Sequence, residues 1–199
     1  SRMFDRISQS APVAARQAPA DARPVLADAD RHRAGVFVGT GMGGIGSIDD
    51  GYQTLYGENS DRIKPFTVLM GMNNAPAAWI GIENNWNGPS LSYSTACSSS
   101  AVAIGEAWLR LARGDIDMAL AGGTEAPLCF GSLKAWEALR TVASMDPADA
   151  SASCKPFSQN RTGMVLGEGA AMWVLEPWDH ALARGATIHG ELAGYGLFT

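Results

Sequence analysis

Cysteine is scarce in this sequence. There are three, at positions 97, 129 and 154, with no CxxC pair and no spacing that suits zinc. An odd, sparse count fits a reducing compartment better than a disulfide-stapled secreted fold. Basic charge is also in deficit: 15 Lys and Arg stand against 20 Asp and Glu, a net charge of -5. That argues against nucleic acid as a partner. An acidic partner protein would need basic residues clustered locally. No apolar run approaches the ~20 residues of a membrane span. Arg2, Asp5 and Arg6 stand where a secretory signal would be apolar. These absences point to a cytoplasmic protein. What is present is 46% hydrophobic residues in a chain of 199, enough for a sizeable core in one domain or slightly more.

Apolar runs alternate with helical patterns. Residues 34–40 (AGVFVGT), 117–121 (DMALA), 170–176 (AAMWVLE) and 187–195 (TIHGELAGY) read as strands, and Ser90 to Ser94 as a shorter one. Helices are expected over 74–84, 101–113, 131–139 and 177–184, the last with Pro177 at its start. The first 22 residues are helix-like, but Pro12 and Pro19 predict a break or a loose end. Residues 21–33, 57–64 and 141–158 read as loops. Strands alternating with helices define an α/β architecture.

Gly39, Gly41, Gly43, Gly44 and Gly46 twice match the spacing of a dinucleotide fingerprint. A dinucleotide fold needs a helix opening there and an acid-ended strand about 20 residues on. The chain instead runs into Ser47-Ile48-Asp49-Asp50 and a polar loop, so close backbone packing beside a pocket is the better reading. His32 lies in a polar loop, His180 on a helix and His189 in the last expected strand; each reads as structural.

The chemistry centres on Ser94-Thr95-Ala96-Cys97-Ser98-Ser99-Ser100. Cys97 is placed on a tight turn between a short strand and a helix. A cysteine reacts as its thiolate, and a helix N-terminus favours the charged form. Unpaired N–H groups at the same helix end are suited to hold an oxyanion formed from a thioester. The small neighbours let a carbonyl approach. Val102, Ile104, Ala107, Trp108, Leu109 and Leu111 surround the helix and predict that it is buried. Arg110, Arg113 and Gly114 mark its end.

Four segments together resemble the β-ketoacyl synthase family of condensing enzymes. They are GVFVGTGMGG (35–44), GPSLSYSTACSSSAVAIGEA (88–107), GDIDMALAGGTEA (114–126) and CKPFSQNRTGMVLGEGAAMWVLE (154–176). The resemblance spans about four fifths of the chain. It implies a thiolase-like layered fold of two similar halves, of which residues 1–199 supply the first, without its opening strand. It implies Cys97 as nucleophile, taking an acyl group from the phosphopantetheine arm of an acyl carrier protein. Decarboxylative condensation with malonyl-carrier protein would follow, with no cofactor of the protein's own. Met42, Met72, Trp136 and Met164 fall at positions that border the acyl pocket. A homodimer is implied, with the strand at 90–94 near its two-fold axis.

The departures carry weight. Neither of the family's histidine motifs, nor the lysine-bearing helix between them, has a counterpart here. Ser158 replaces the Asp usual after Pro-Phe. The expectation is a chain that is acylated on Cys97 but needs its missing half for condensation. Three other readings stay open: a thiolase-fold enzyme acting on CoA thioesters, a non-catalytic partner subunit, which Cys97 argues against, and a nucleotide-binding α/β protein resting on the glycines.

Overall fold

The computed structural model describes residues 4–24 and 27–198, without the side chains of residues 28 and 29. Residues 1–3, including Arg2 and the start of the expected first helix, lie outside the described residues, as do residues 25 and 26 of the expected loop.

Helix α1 spans Arg6–Ala22 without a break at Pro12 or Pro19. The expected interruption does not occur because the helix is held from both sides. Asp5 caps its N-terminus, accepting from the Ile7 N–H at 3.1 Å. The stripe Ile7, Ser8, Ala11, Pro12 and Ala15 is buried, so the Pro12 ring serves as packing surface. Burial outweighs the roughly 3 kcal/mol that an interior proline costs a helix.

Strand β1 (Ala34–Gly39) is buried at every residue. It pairs in parallel with β2 (Ser90–Tyr93) on one side and β3 (Met118–Glu125) on the other. Strand β4 (Gly169–Leu175) adds antiparallel to β3, giving a mixed sheet in the order β2-β1-β3-β4. Between these strands lie α2 (Ile45–Tyr52), α3 (Thr67–Gly71), α4 (Ala75–Asn84), α5 (Ser99–Ala112) and α6 (Phe130–Ala138). The last helix is α7 (Trp178–Ala183), preceded by Pro177.

The pleat sorts the strand residues onto two faces. Val36, Val38, Met118 and Leu120 pack with Ala11 and Ala15 of α1 and Ala77 and Ile80 of α4. Phe37, Ala119 and Ala121 pack with Ala103 and Ala107 of α5. The sheet is thus sandwiched between helices, with α1 and α4 in the first of these cores and α5 in the second. On α4 the buried residues are Ala75, Pro76, Ala77 and Ile80, while the apolar Ile82 is 68% exposed.

The expected strand at 187–195 does not form. That segment is irregular and pairs with no strand among the described residues. It lies across α5 instead: Tyr195 sits so close to Gly105 that a Cβ there would overlap its ring. His189 Nε2 pairs with Asp21 Oδ2 at 2.7 Å. His180 Nδ1 pairs with Glu176 Oε2 at 2.7 Å. Burial pushes the Glu176 carboxyl up, but the hydrogen bonds and charges of Arg184 and His180 outweigh it and hold it below its ordinary value. Arg184 also donates to the Ala22 carbonyl at 2.7 Å, tying α7 to the end of α1. Both histidines are thus committed to surface pairs.

Candidate active site

Between β2 and α5 the chain makes one turn of 3-10 helix, Ala96–Ser98. Ala96 has φ of 52°, the left-handed region that a residue with a Cβ seldom adopts. The serine run holds this conformation. Ser99 Oγ accepts from the Thr95 N–H at 2.9 Å and donates to the Ala96 carbonyl at 2.6 Å. Ser98 Oγ donates to the Thr95 carbonyl at 2.8 Å. Cys97 follows the strained residue and is exposed, two residues before α5 begins at Ser99.

The turn sits against the sheet because two glycines leave room. A Cβ on Gly39 would overlap the Ser99 backbone, and one on Gly123 would come within 2.6 Å of Ser100 Cβ. These glycines lie opposite each other in the β1–β3 register. The Gly39–Gly46 run therefore serves close packing: Gly43, with φ of 58°, and Gly44 are crowded by Asn73 and Met70 in the same way.

Cys97 opens into a cleft of about 480 Å³. Its walls include Gly41 and Thr40 after β1, Ile104 of α5, Glu125 at the end of β3, and Trp173 of β4. Glu125 reaches back across the sheet. Its Oε2 accepts from the Gly41 N–H at 2.5 Å, and its Oε1 from the Met42 N–H at 3.2 Å. Thr40 Oγ1 lies 3.4 Å from Oε2.

Of the five residues singled out from sequence, only Cys97 lines this cleft. Met42 borders it through its backbone bond to Glu125, and its sulfur accepts from Ser132 Oγ of α6 at 3.7 Å. Trp136, one turn further along α6, is half-buried, and its carbonyl accepts from Thr141 Oγ1 at 3.2 Å. The Met164 N–H in turn donates to the Thr141 carbonyl at 2.8 Å. Met42 thus touches α6, and the backbones of Trp136 and Met164 both bond Thr141. Met72, just after α3, is 45% exposed.

Sequence reasoning missed Ile104, Trp173 and Glu125 as cleft residues. The GGTEA segment was the available signal for Glu125, but its partners are 83 to 85 positions away.

An exposed thiol thus stands on a strained strand-to-helix turn at a mixed sheet packed between helices. The chain belongs to the β-ketoacyl synthase family: the family's N-terminal domain matches residues 1–181. It is 42% identical over 194 residues to nodulation protein E of Rhizobium meliloti (strain 1021). It is 37% identical over 196 residues to 3-oxoacyl-[acyl-carrier-protein] synthase 2 of Staphylococcus aureus (strain N315). Each alignment covers 98% of this chain but 46% and 47% of those relatives, so the chain spans about half their length. Among solved structures, a β-ketoacyl synthase from Burkholderia phymatum STM815 superposes with a TM-score of 0.81 at 31% identity. That match covers 94% of this chain and 46% of the other. The ketosynthase AntDE, solved with its acyl-carrier protein AntF, gives 0.85 at 28% identity, covering 93% and 47%.

Proposed function

We propose that this chain carries the nucleophile of a 3-oxoacyl-[acyl-carrier-protein] synthase and that Cys97 is that nucleophile. The observation that carries the reading is the exposed Cys97 on its strained turn, in a cleft floored by sheet glycines. The Cys97 sulfur, having given up its proton, attacks the carbonyl of an acyl thioester on an acyl carrier protein. A carbon–sulfur bond forms to Cys97, the bond to the carrier's sulfur breaks, and the released thiolate takes up the proton. Malonyl-carrier protein then loses carbon dioxide. The resulting enolate carbon attacks the Cys97 thioester, freeing the Cys97 sulfur and leaving a 3-oxoacyl group on the carrier. Covalent capture divides a two-substrate condensation into two easier steps. The acyl group's own carrier arm supplies the handle, so the scheme uses no protein-bound cofactor.

The described residues lining the cleft include no imidazole. Capture at Cys97 is the step this reading assigns to the chain's own groups. In this reading Met42, Trp136 and Met164 border the acyl chain, with Met72 reaching it from a second copy. Strand β2 is a sheet edge with exposed and half-buried residues, and is the face for that copy in a homodimer. Acyl carrier protein is the soluble partner in a cytoplasmic pathway. Among the described residues no helix is long and apolar enough to cross a membrane.

The test is intact mass after mixing with an acyl-carrier protein and, in parallel, an acyl-CoA. A mass gain equal to the acyl group, dependent on the carrier and lost in Cys97→Ala, is expected. A gain that survives Cys97→Ala places the nucleophile elsewhere. Equal loading from CoA favours the thiolase-like alternative.

A further inference from the structure

Glu125 is the one charged residue among the described residues that line the cleft, and the capture chemistry does not use it. Its carboxylate is already engaged, by the N–H groups of Gly41 and Met42. Those two peptides belong to the glycine turn after β1. The same turn is bonded on its other side to the approach to Cys97. The Thr40 N–H donates to the Tyr93 carbonyl at 3.0 Å, and Ser94 Oγ donates to the Gly41 carbonyl at 3.2 Å. Ser94 also accepts from Asn73 Nδ2 at 3.3 Å.

A continuous line of hydrogen bonds thus runs from the end of β3, through Glu125 and Gly41, to Ser94. Two residues beyond Ser94 lies Ala96, the strained residue before the nucleophile. Gly41 lies close against the carboxylate: a Cβ there would come within 3.0 Å of Glu125 Oε2. A carboxylate is suited to the task because it only accepts. It takes two or three N–H and O–H donors at once, where a carboxamide presents one oxygen and an NH₂ that faces them.

We infer that Glu125 is a positioning residue: acting through the Gly41 peptides and Ser94, it fixes the turn that aims Cys97 into the cleft. This rests on the reading of Cys97 as the acyl-accepting sulfur.

The experiment compares the full chain with Glu125→Gln and, as a second cut in the same line, Ser94→Ala. Acyl transfer from a carrier protein is followed by intact mass to separate kcat from KM. Alkylation of Cys97 by iodoacetamide reports plain exposure. Backbone hydrogen exchange is read over residues 94–98 and over β1 and β3. The expected result in both variants is a kcat lower by about tenfold or more with KM unchanged. Exchange rises at 94–98, while β1, β3 and the alkylation rate stay as in wild type. Unchanged transfer, or faster exchange confined to 41–43, overturns the inference. Loss of protection across β1 and β3 in both variants also overturns it, since Glu125 would then be holding the sheet. If the wild type itself accepts no acyl group, the functional reading fails, and exchange at 94–98 still decides whether Glu125 governs this turn. If Glu125→Gln does not fold, Ser94→Ala decides alone.

Discussion

Gly39 and Ser99 occupy the same space but for one missing methyl group: a Cβ on Gly39 would overlap the carbonyl carbon and oxygen of Ser99. The end of the central strand and the first turn of α5 are thereby in backbone contact, and Cys97 is carried on the 3-10 turn that leads into it. Because the obstructing atoms are backbone, no rotamer change relieves the clash. Gly39→Ala is expected to cost about 1–3 kcal/mol or more, as overpacking does, and to lift Cys97 out of register with the cleft. Gly167→Ala is the control, since nothing lies within 4 Å of a Cβ there, and it should change stability by less than about 0.5 kcal/mol. Urea unfolding with acyl loading of Cys97 checks both. Equal behaviour of the two variants would show that the helix shifts freely on the sheet.

Ala96 holds a conformation that costs a Cβ-bearing residue about 1–2 kcal/mol, against Ser98 and Ser99 hydroxyls that keep it in place. Ala96→Gly removes that strain but frees the unfolded chain by about 0.5–1 kcal/mol. Stability should therefore rise slightly or stay level, while acyl capture slows because the turn is no longer confined. Ala96→Val should lose both. A glycine variant that captures acyl groups as fast as wild type would show that the strain has no part in aiming the thiol. Thermal unfolding beside single-turnover loading makes the measurement.

Much of this architecture is legible in the sequence, for physical reasons. Strands β1, β3 and β4 are runs of small or branched apolar residues closed by glycine or an acid, and the turn at Cys97 is flanked by unambiguous strand and helix patterns. The unbroken course of α1 is not legible, since Pro12 is tolerated on the buried stripe of a helix whose Ala11 and Ala15 pack on strands formed by distant residues. The tail at 187–195 has a strand's composition, but a strand also needs an edge to pair with, and here Tyr195 settles on Gly105. In the cleft, Cys97 is announced by its neighbours. Trp173 and Glu125 are not: the antiparallel pairing of Gly169 with Glu125 and Trp173 with Ala121 brings β4 to the site, and that register is a property of the folded sheet.

The loop before β4 carries its own pH dependence. Asp146 accepts from Lys155 Nζ at 2.9 Å and from the N–H groups of Ala148 and Asp149 at 3.0 and 3.3 Å. The Lys155 bond foremost, then those two N–H groups, lower its carboxyl from 3.8 to about 2. A carboxylate lowered in the folded state binds fewer protons there than in the unfolded chain. It therefore stabilises fully above the unfolded value near 4, and the contribution is lost as pH falls from about 4 through about 2. Asp149 is lowered as well, by the Ser151 hydroxyl and N–H, and Asp117 by Arg33, so the whole chain weakens in acid. Asp146→Asn isolates one contribution, because every other acid is common to both proteins. Urea midpoints should run parallel above about pH 5, with the variant lower, and converge as pH drops toward 3, where the wild type gives up what the variant never had. Salt should narrow the gap, since the pair is only partly shielded from solvent. Midpoints that stay equally spaced down to pH 3 would mean that the Asp146–Lys155 contact contributes no protonation-linked stability.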